Sequence, residues 1–189
     1  MNRREEIILA STKVIGNEGI KSFTIKKLAM NLPLTEGAIY RHFKSKEEIL
    51  LAIFDHFSFI IEKKITTVLL DENLNPRENI FEFFNSLKQI FKENPELIYL
   101  FFSEGTFIDI PALTTKTLQM MDTKIKIISD LLIKGQKTGD INFEIPVQEF
   151  AKMILGYFRL SVMKIKLKGE SDNIEIRLGE FFNALKKII

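Results

Sequence analysis

Few side chains in this sequence could perform catalysis. Its 189 residues include two histidines, His42 and His56, and no cysteine, which excludes cysteine nucleophiles, thiolate metal sites and disulfides. There is no glycine-rich phosphate loop and no carboxylate–histidine spacing typical of a metal site. We therefore predict that the protein is not an enzyme and that it holds no cofactor and no metal.

The residues best suited to binding lie between Thr24 and Lys46. Two short helices are predicted there, because threonine at positions 24 and 35 can cap the first turn of a helix. Only a few residues separate these helices, which is the spacing of a helix-turn-helix. The outward face of the second helix is polar or small and could enter the major groove of DNA. Its residues are Glu36, Gly37, Ala38, Tyr40, Arg41 and His42.

Lys46 is unusual for its position in the sequence. Ser45 and Glu48 form a capping-box pattern, which places Lys46 in the first turn of the next helix. Because the helix dipole disfavours a cation there, we expect an anion nearby, such as a DNA phosphate. The alternative is a solvated lysine.

Charge is distributed unevenly along the chain. The first 46 residues carry nine basic and four acidic side chains, a net charge of +5, whereas the whole chain carries +2. A basic N-terminal segment favours a polyanionic partner such as double-stranded DNA, although solvated basic surfaces are also common.

The segment from Thr24 to Ile49 resembles the DNA-binding signature of the TetR family. The resemblance rests on T-I-K-K-L-A at 24–29 and T-E-G-A-I-Y-R-H-F-K-S-K-E-E-I at 35–49. It covers about the first quarter of the chain. It implies a transcriptional repressor that binds a palindromic operator and is released by a small, largely apolar effector.

The resemblance also implies which residues contact DNA. Thr35 is a further predicted DNA contact. Phosphates would be held by Thr24, Tyr40, His42 and Lys46. Base edges would be faced by Glu36, Gly37, Ala38 and Arg41. The chemistry agrees, because Arg41 could bind guanine and Glu36 could accept from a cytosine amino group. The alternatives are that Tyr40 borders the core, that Glu36 only complements the helix dipole and that His42 is merely solvated.

Pro33 departs from the family pattern, which usually has glycine in this turn. Proline cannot adopt a positive φ, and it disfavours helical angles at Leu32. We therefore expect the turn to close differently.

Helical periodicity runs through the whole chain, which predicts an all-α fold. Pro76, Pro95, Pro111 and Pro146 each precede an apolar-periodic stretch, as prolines at helix starts do. The predicted helices are 3–18, 24–31, 35–42, 45–69, 76–92, 95–103, 111–137, 146–168 and 173–188. We predict a helix-turn-helix domain at 1–46, joined by the fourth helix to an effector-binding and dimerisation domain at 47–189.

The last two predicted helices carry apolar stripes wider than one neighbouring helix would cover. The residues that widen them are Met153, Leu155, Tyr157, Phe182 and Ile189. The surplus predicts a homodimer through these helices, and the resemblance implies the same. The alternative is that both helices line a monomer core.

The region before those two helices is rich in phenylalanine, and the resemblance implies a small-molecule pocket there. The candidate ligand contacts are Phe84, Tyr99, Phe102, Met121, Tyr157 and Arg159. The alternative for most aromatic residues is plain core. The fourth helix is apolar nearly all round, so we hypothesise that a bound effector tilts it and lowers operator affinity.

The longest apolar runs, 49–54 and 97–102, are too short to cross a bilayer, and no export signal is recognisable. We therefore expect no membrane partner and, with no cysteine, a cytoplasmic protein. The alternative function is a helical carrier of lipid or another hydrophobic ligand that does not bind DNA.

Overall fold

The computed structural model describes residues 2–69, 71, 73–102, 109–170 and 173–189. Within these ranges all regular structure is helical, which confirms the predicted all-α class. The helices are α1 Arg3–Glu18, α2 Ile25–Met30, α3 Glu36–Tyr40, α4 Lys46–Leu69, α5 Pro76–Glu93, α6 Glu96–Phe101, α7 Pro111–Thr138, α8 Val147–Lys168, α9 Ile174–Arg177 and α10 Gly179–Ile188. None of these helices combines the length and apolar content that a membrane span requires.

The helix starts follow the local signals in the sequence. Pro76 and Pro111 are the first residues of α5 and α7, where a missing N–H costs no helical hydrogen bond. Pro95 and Pro146 immediately precede α6 and α8. The predicted end of the sixth helix, Ser103, lies outside the described residues.

The single helix predicted at 173–188 is wrong, because the chain divides there into α9 and α10. Leu178 separates the two helices with φ −87° and ψ −2°, angles that do not continue a regular α-helix. Gly179 follows at once, and glycine is a weak helix former. The apolar repeat that predicted one helix nevertheless stays buried, since Ile174, Leu178 and Phe181 are at most 1% exposed.

The chain forms two compact units. Unit 1 comprises residues 1–60 and 94–116, and unit 2 comprises residues 61–93 and 117–189. These units are defined by packing, and helix α4 contributes to both. The functional boundary expected after Lys46 stays a prediction.

Each unit has its own apolar core. In unit 1 the segments 7–28 and 39–57 supply buried aliphatic and aromatic side chains, including fully buried Phe23 and Phe43. In unit 2 three phenylalanine rings form a cluster, with centroids of Phe84, Phe158 and Phe181 4.9 to 5.1 Å apart. Aromatic pairs at such distances add stability beyond the area they bury.

Candidate nucleic-acid interface

Helices α2 and α3 pack through the residues that the sequence pattern predicted to face inward. Ile25, Leu28, Ile39 and Phe43 are buried, and Ala29 and Leu34 are half-buried. Burial of these apolar side chains leaves the opposite face of α3 in solvent. The predicted helix-turn-helix is therefore present in unit 1.

The turn between α2 and α3 accommodates Pro33 without left-handed backbone. The Leu34 N–H donates to the Leu32 carbonyl at 2.7 Å, closing a three-residue turn around Pro33. Such an inverse γ-turn needs a negative φ at its central residue, which proline supplies. No described residue other than glycine has a positive φ. The turn thus closes by a route that requires no glycine.

Two threonines cap the helices of the motif, as predicted. The Thr24 hydroxyl accepts from the Lys27 N–H, and the Thr35 hydroxyl accepts from the Ala38 N–H, both at 3.2 Å. Both threonines are exposed. Because each hydroxyl uses an acceptor site for the cap, its own proton stays available to a phosphate oxygen.

The outward face of α3 and the residues just after it are open to solvent. Glu36, Gly37, Tyr40, Arg41 and His42 are exposed, and Ala38 is half-buried. Among the described residues, none forms a hydrogen bond or ion pair with the side chain of Tyr40, Arg41 or His42, although Arg4 donates to the His42 backbone carbonyl. These side chains are therefore free to bind another molecule, and their individual DNA contacts stay predictions.

Lys46 is held against the body of unit 1. Its ammonium donates to the Ile20 carbonyl at 3.2 Å and lies 5.7 Å from the centroid of the Phe23 ring. Partial burial lowers the pKa of Lys46. The ammonium has two further N–H donors, so the carbonyl bond leaves room for a phosphate. The proposed phosphate contact stays a prediction, whereas the alternative of a merely solvated lysine does not match this environment.

The predicted capping box at Ser45 forms only in part. The Ser45 hydroxyl accepts from the Glu48 N–H at 3.1 Å, but the Glu48 carboxylate accepts from the Lys44 N–H at 2.7 Å instead of returning to Ser45. The prediction of two reciprocal bonds between Ser45 and Glu48 is therefore wrong in one of them, because the Glu48 carboxylate binds the backbone N–H of Lys44 and not that of Ser45. The Lys44 N–H, with Arg4 as the second cause, holds the pKa of Glu48 below its usual range.

Arg4 is a positioning residue that sequence reasoning missed. Its guanidinium donates to the His42 carbonyl and, at 3.0 Å, to the Glu48 carboxylate, and it lies 4.0 Å from the centroid of the Phe43 ring. Arg4 thereby connects α1 to the segment after α3 and to the first turn of α4. Its partners are about forty positions away in sequence, so the only local signal was a place in the basic N-terminal segment.

The six candidate ligand contacts are divided between the units. Tyr99 and Phe102 belong to unit 1, whereas the other four belong to unit 2. Phe84 is a fully buried member of the phenylalanine cluster, and Tyr157 is 38% exposed. A shared cavity around the six stays a prediction.

Lys124 on α7 is a further cation of unit 2 that the sequence pattern did not single out. Burial and, as the smaller cause, the positive charge of Arg159 together lower the pKa of Lys124 to about 8. Among the described residues no carboxylate forms an ion pair with Lys124. Lys124 and Arg159 thus place two positive charges near each other in unit 2. In the described part of the chain no group of three metal-ligating side chains comes together.

The N-terminal segment matches a known family. Residues 7–53 match the family model described as bacterial regulatory proteins, tetR family. Among curated proteins, nucleoid occlusion factor SlmA of Edwardsiella ictaluri is 35% identical over 72 residues. That match covers 38% of this chain and 36% of the relative, so the chain matches little more than a third of that protein's length.

Similarity of fold extends over the whole chain. The ketosteroid transcriptional regulator KstR2 of Mycobacterium tuberculosis has a TM-score of 0.81 at 18% identity, covering 99% of this chain and 95% of that one. The transcriptional regulator FadR of Bacillus subtilis, solved in complex with stearoyl-CoA, has a TM-score of 0.74 at 19% identity and covers 97% of both chains. At these identities the likeness concerns the fold alone.

Proposed function

Because this chain belongs to the TetR family of bacterial regulatory proteins, we propose that it is a repressor that binds a palindromic operator as a homodimer. A small, largely apolar effector releases it. The observation that carries the proposal is the solvent-exposed polar face of α3 within a capped helix-turn-helix.

The face of α3 has the chemistry needed to read bases. Arg41 can donate two hydrogen bonds to guanine, Glu36 can accept from cytosine and Ala38 can contact a thymine methyl group. Thr24, Thr35, Tyr40, His42 and Lys46 carry donors suited to phosphate oxygens. Gly37 adds no side chain, so it permits close approach of the helix to the base edges.

Two copies are needed because one short recognition helix reads few base pairs. A twofold axis places two such helices about 34–36 Å apart, in successive turns of the same groove. Unit 2 supports this assembly with large apolar side chains exposed on α8 and α9, which a second copy could cover. These residues are Met153, Tyr157, Leu160, Met163, Leu167 and Ile176.

The effector proposal draws on the composition of unit 2 and on two fold relatives. One relative is described as a ketosteroid transcriptional regulator and the other is solved in complex with stearoyl-CoA; a steroid skeleton and a stearoyl chain are both apolar. Helix α4 contributes to both units, so a change in its tilt could transmit effector binding to the operator site.

Selection of duplexes from a random DNA pool by the purified protein tests the DNA-binding proposal. We expect a palindromic consensus whose affinity falls steeply with salt. Recovery of no preferred duplex would overturn it and favour the alternative of a hydrophobic-ligand carrier.

The effector proposal is tested with the selected duplex and stearoyl-CoA at matched salt. Free coenzyme A serves as the control. Loss of operator affinity with stearoyl-CoA alone supports release by an apolar ligand. Equal affinity under both conditions excludes stearoyl-CoA as an effector and leaves the DNA-binding proposal intact.

A further inference from the structure

Helix α8 exposes one continuous side that the described part of its own chain does not cover. At about 3.6 residues per turn, a single side of this helix holds Glu149, Met153, Gly156, Tyr157, Leu160 and Lys164. All six are exposed, with Met153 at 58% and Leu160 at 54%. The other side carries Ala151, Ile154, Phe158, Val162 and Ile165, which are buried in unit 2. We call the exposed side the α8 seam.

Gly156 lies at the middle of the α8 seam, and the single chain does not explain it. A glycine inside a helix is less stable than alanine, and within 4 Å of a Cβ placed there lies no atom of the described chain. Space for a side chain is therefore available but unused. A glycine in an exposed helix interior is explained when another backbone or ring must approach it closely.

The residues before and after Gly156 on the α8 seam form chemically complementary pairs. Counting outward from the peptide bond between Gly156 and Tyr157, Met153 corresponds to Leu160 and Glu149 corresponds to Lys164. In a twofold dimer, if residue i contacts residue j of the second copy, then j also contacts i. An antiparallel crossing at this point would pair apolar with apolar and acid with base. A parallel crossing would place Glu149 against Glu149 and Lys164 against Lys164, which is repulsive.

Tyr157 is already positioned for such a crossing. Its ring centroid lies 5.5 Å from that of buried Phe181, at an interplanar angle of 61°. The contact supports one side of the ring, while 38% of the residue stays exposed. An aromatic side chain held in this way can fill the space above a glycine of a facing helix.

We propose that α8 crosses its own copy antiparallel at Gly156, so that Tyr157 of each chain packs on Gly156 of the other. Met153 then faces Leu160, and Glu149, which already pairs with Lys152 of its own chain at 2.8 Å, pairs in addition with Lys164 of the second copy, twice in each dimer. This inference rests on the proposed homodimer and adds to it the crossing point, the direction and the charge pairs that select a second copy of this chain.

Replacement of Gly156 tests the crossing point. Because the helix gains a better helix former, Gly156→Leu should keep the helical circular dichroism and should not lower the melting temperature of the dilute monomer. The added side chain should nevertheless raise the dimer Kd by roughly tenfold or more in sedimentation equilibrium. Lys126→Leu on α7, an exposed position outside the α8 seam, is the matched control and should leave the Kd unchanged.

Charge reversal tests the direction of the crossing. Glu149→Lys alone and Lys164→Glu alone should each weaken the homodimer, because like charges then face each other. A mixture of the two variants should form heterodimers in preference to either homodimer, which native mass spectrometry can measure. Lys126→Glu mixed with Asp130→Lys gives the same charge changes on α7 and should combine at random.

The outcomes separate this inference from the homodimer proposal. A wild-type protein that stays monomeric at high concentration overturns the homodimer itself. A wild-type dimer that tolerates Gly156→Leu, or whose charge-reversed chains combine no more selectively than the control pair, leaves the homodimer standing and overturns the crossing at Gly156.

Discussion

The exposed faces of α3 and α8 have opposite chemistry, although no segment among the described residues covers either of them. On α3 and just after it the exposed side chains include Glu36, Tyr40, Arg41 and His42. On α8 they include Met153 at 58%, Leu160 at 54% and Leu167 at 75% exposure. One face offers hydrogen-bonding groups, and the other offers apolar surface.

This difference indicates two kinds of partner. Hydrogen-bonding groups on a low-profile helix suit DNA, whose groove and phosphates stay hydrated and charged. Apolar side chains gain free energy only when another apolar surface removes them from water. Exposure alone therefore does not identify a binding face, whereas exposure together with side-chain chemistry indicates what binds there.

The largest expected effect comes from placing a charge on the apolar face. We predict that Leu160→Asp raises the dimer Kd about a hundredfold or more, which is roughly 3 kcal/mol, because the carboxylate would be buried without a partner. Sedimentation equilibrium measures the change. Leu118→Asp on α7 replaces a similarly exposed leucine, at 57% against 54%, and should leave dimerisation unaltered. Equal effects of Leu160→Asp and Leu118→Asp on the dimer Kd would contradict the proposal that the exposed apolar face of α8 is the one that binds a second copy.

On the polar face, Arg41→Ala should lower affinity for the selected duplex by about 1–3 kcal/mol. The loss should be accompanied by relaxed preference at one position in each half-site, because a bidentate contact to a base edge is removed. Repeating the duplex selection with the variant measures that preference. Lys44→Ala removes an exposed cation nearby and should weaken binding without altering preference. A retained consensus in Arg41→Ala would argue against base contact.

Lys46→Ala should weaken binding to all duplexes alike, by about 1 kcal/mol, and should reduce the salt slope by about one. The structure adds a second expectation, since the bond from Lys46 to the Ile20 carbonyl is lost, and a small decrease in the free energy of unfolding should follow. Fluorescence anisotropy across a salt series measures the first effect. Lys63→Ala, an exposed cation farther along α4, is the control. An undiminished slope in Lys46→Ala would remove Lys46 from the phosphate contacts.

The smallest effect concerns Lys124 inside unit 2. Its folded-state pKa of about 8 lies below the ordinary value of 10.5, so the unfolded chain binds more protons between these two pH values. The cost of the buried charge is therefore fully present below pH 8 and disappears as the pH rises toward 10.5. Removing this charge should therefore raise the free energy of unfolding at pH 7. Because Lys124 keeps some exposure, which reduces the cost, we expect the gain in Lys124→Met to be only about 1 kcal/mol.

Urea unfolding at pH 7 and above pH 9 measures this difference. The gain from Lys124→Met should shrink at the higher pH. Lys126→Met, whose lysine side chain is 76% exposed, should show neither the gain nor its pH dependence. A destabilised Lys124→Met at pH 7 would mean that the ammonium is favourably held in the folded protein.

Much of the local structure could be predicted from short stretches of sequence. Thr24 and Thr35 indicated the starts of α2 and α3, and the prolines indicated the starts of α5 and α7. The period of apolar residues also predicted which side of α8 is buried. These signals work because capping and helical periodicity depend on residues within about one turn of each other.

Other features could not be predicted in this way. The break at Leu178 was missed because the apolar repeat continues across it, and repeat alone does not set the ψ angle. The hydrogen bond that the Lys44 N–H donates to Glu48 differs by one residue from the capping-box pattern. In each case the local pattern allowed more than one backbone path.

By itself the sequence established an all-helical chain with a capped helix-turn-helix near its beginning and surplus apolar residues near its end. Only the tertiary structure decided that Arg4 reaches His42 and Glu48, that Lys46 donates to Ile20 and that Lys124 is half-buried near Arg159. The reason is physical: caps and periodicity act between near neighbours, whereas desolvation and long-range hydrogen bonds depend on which distant segments pack together.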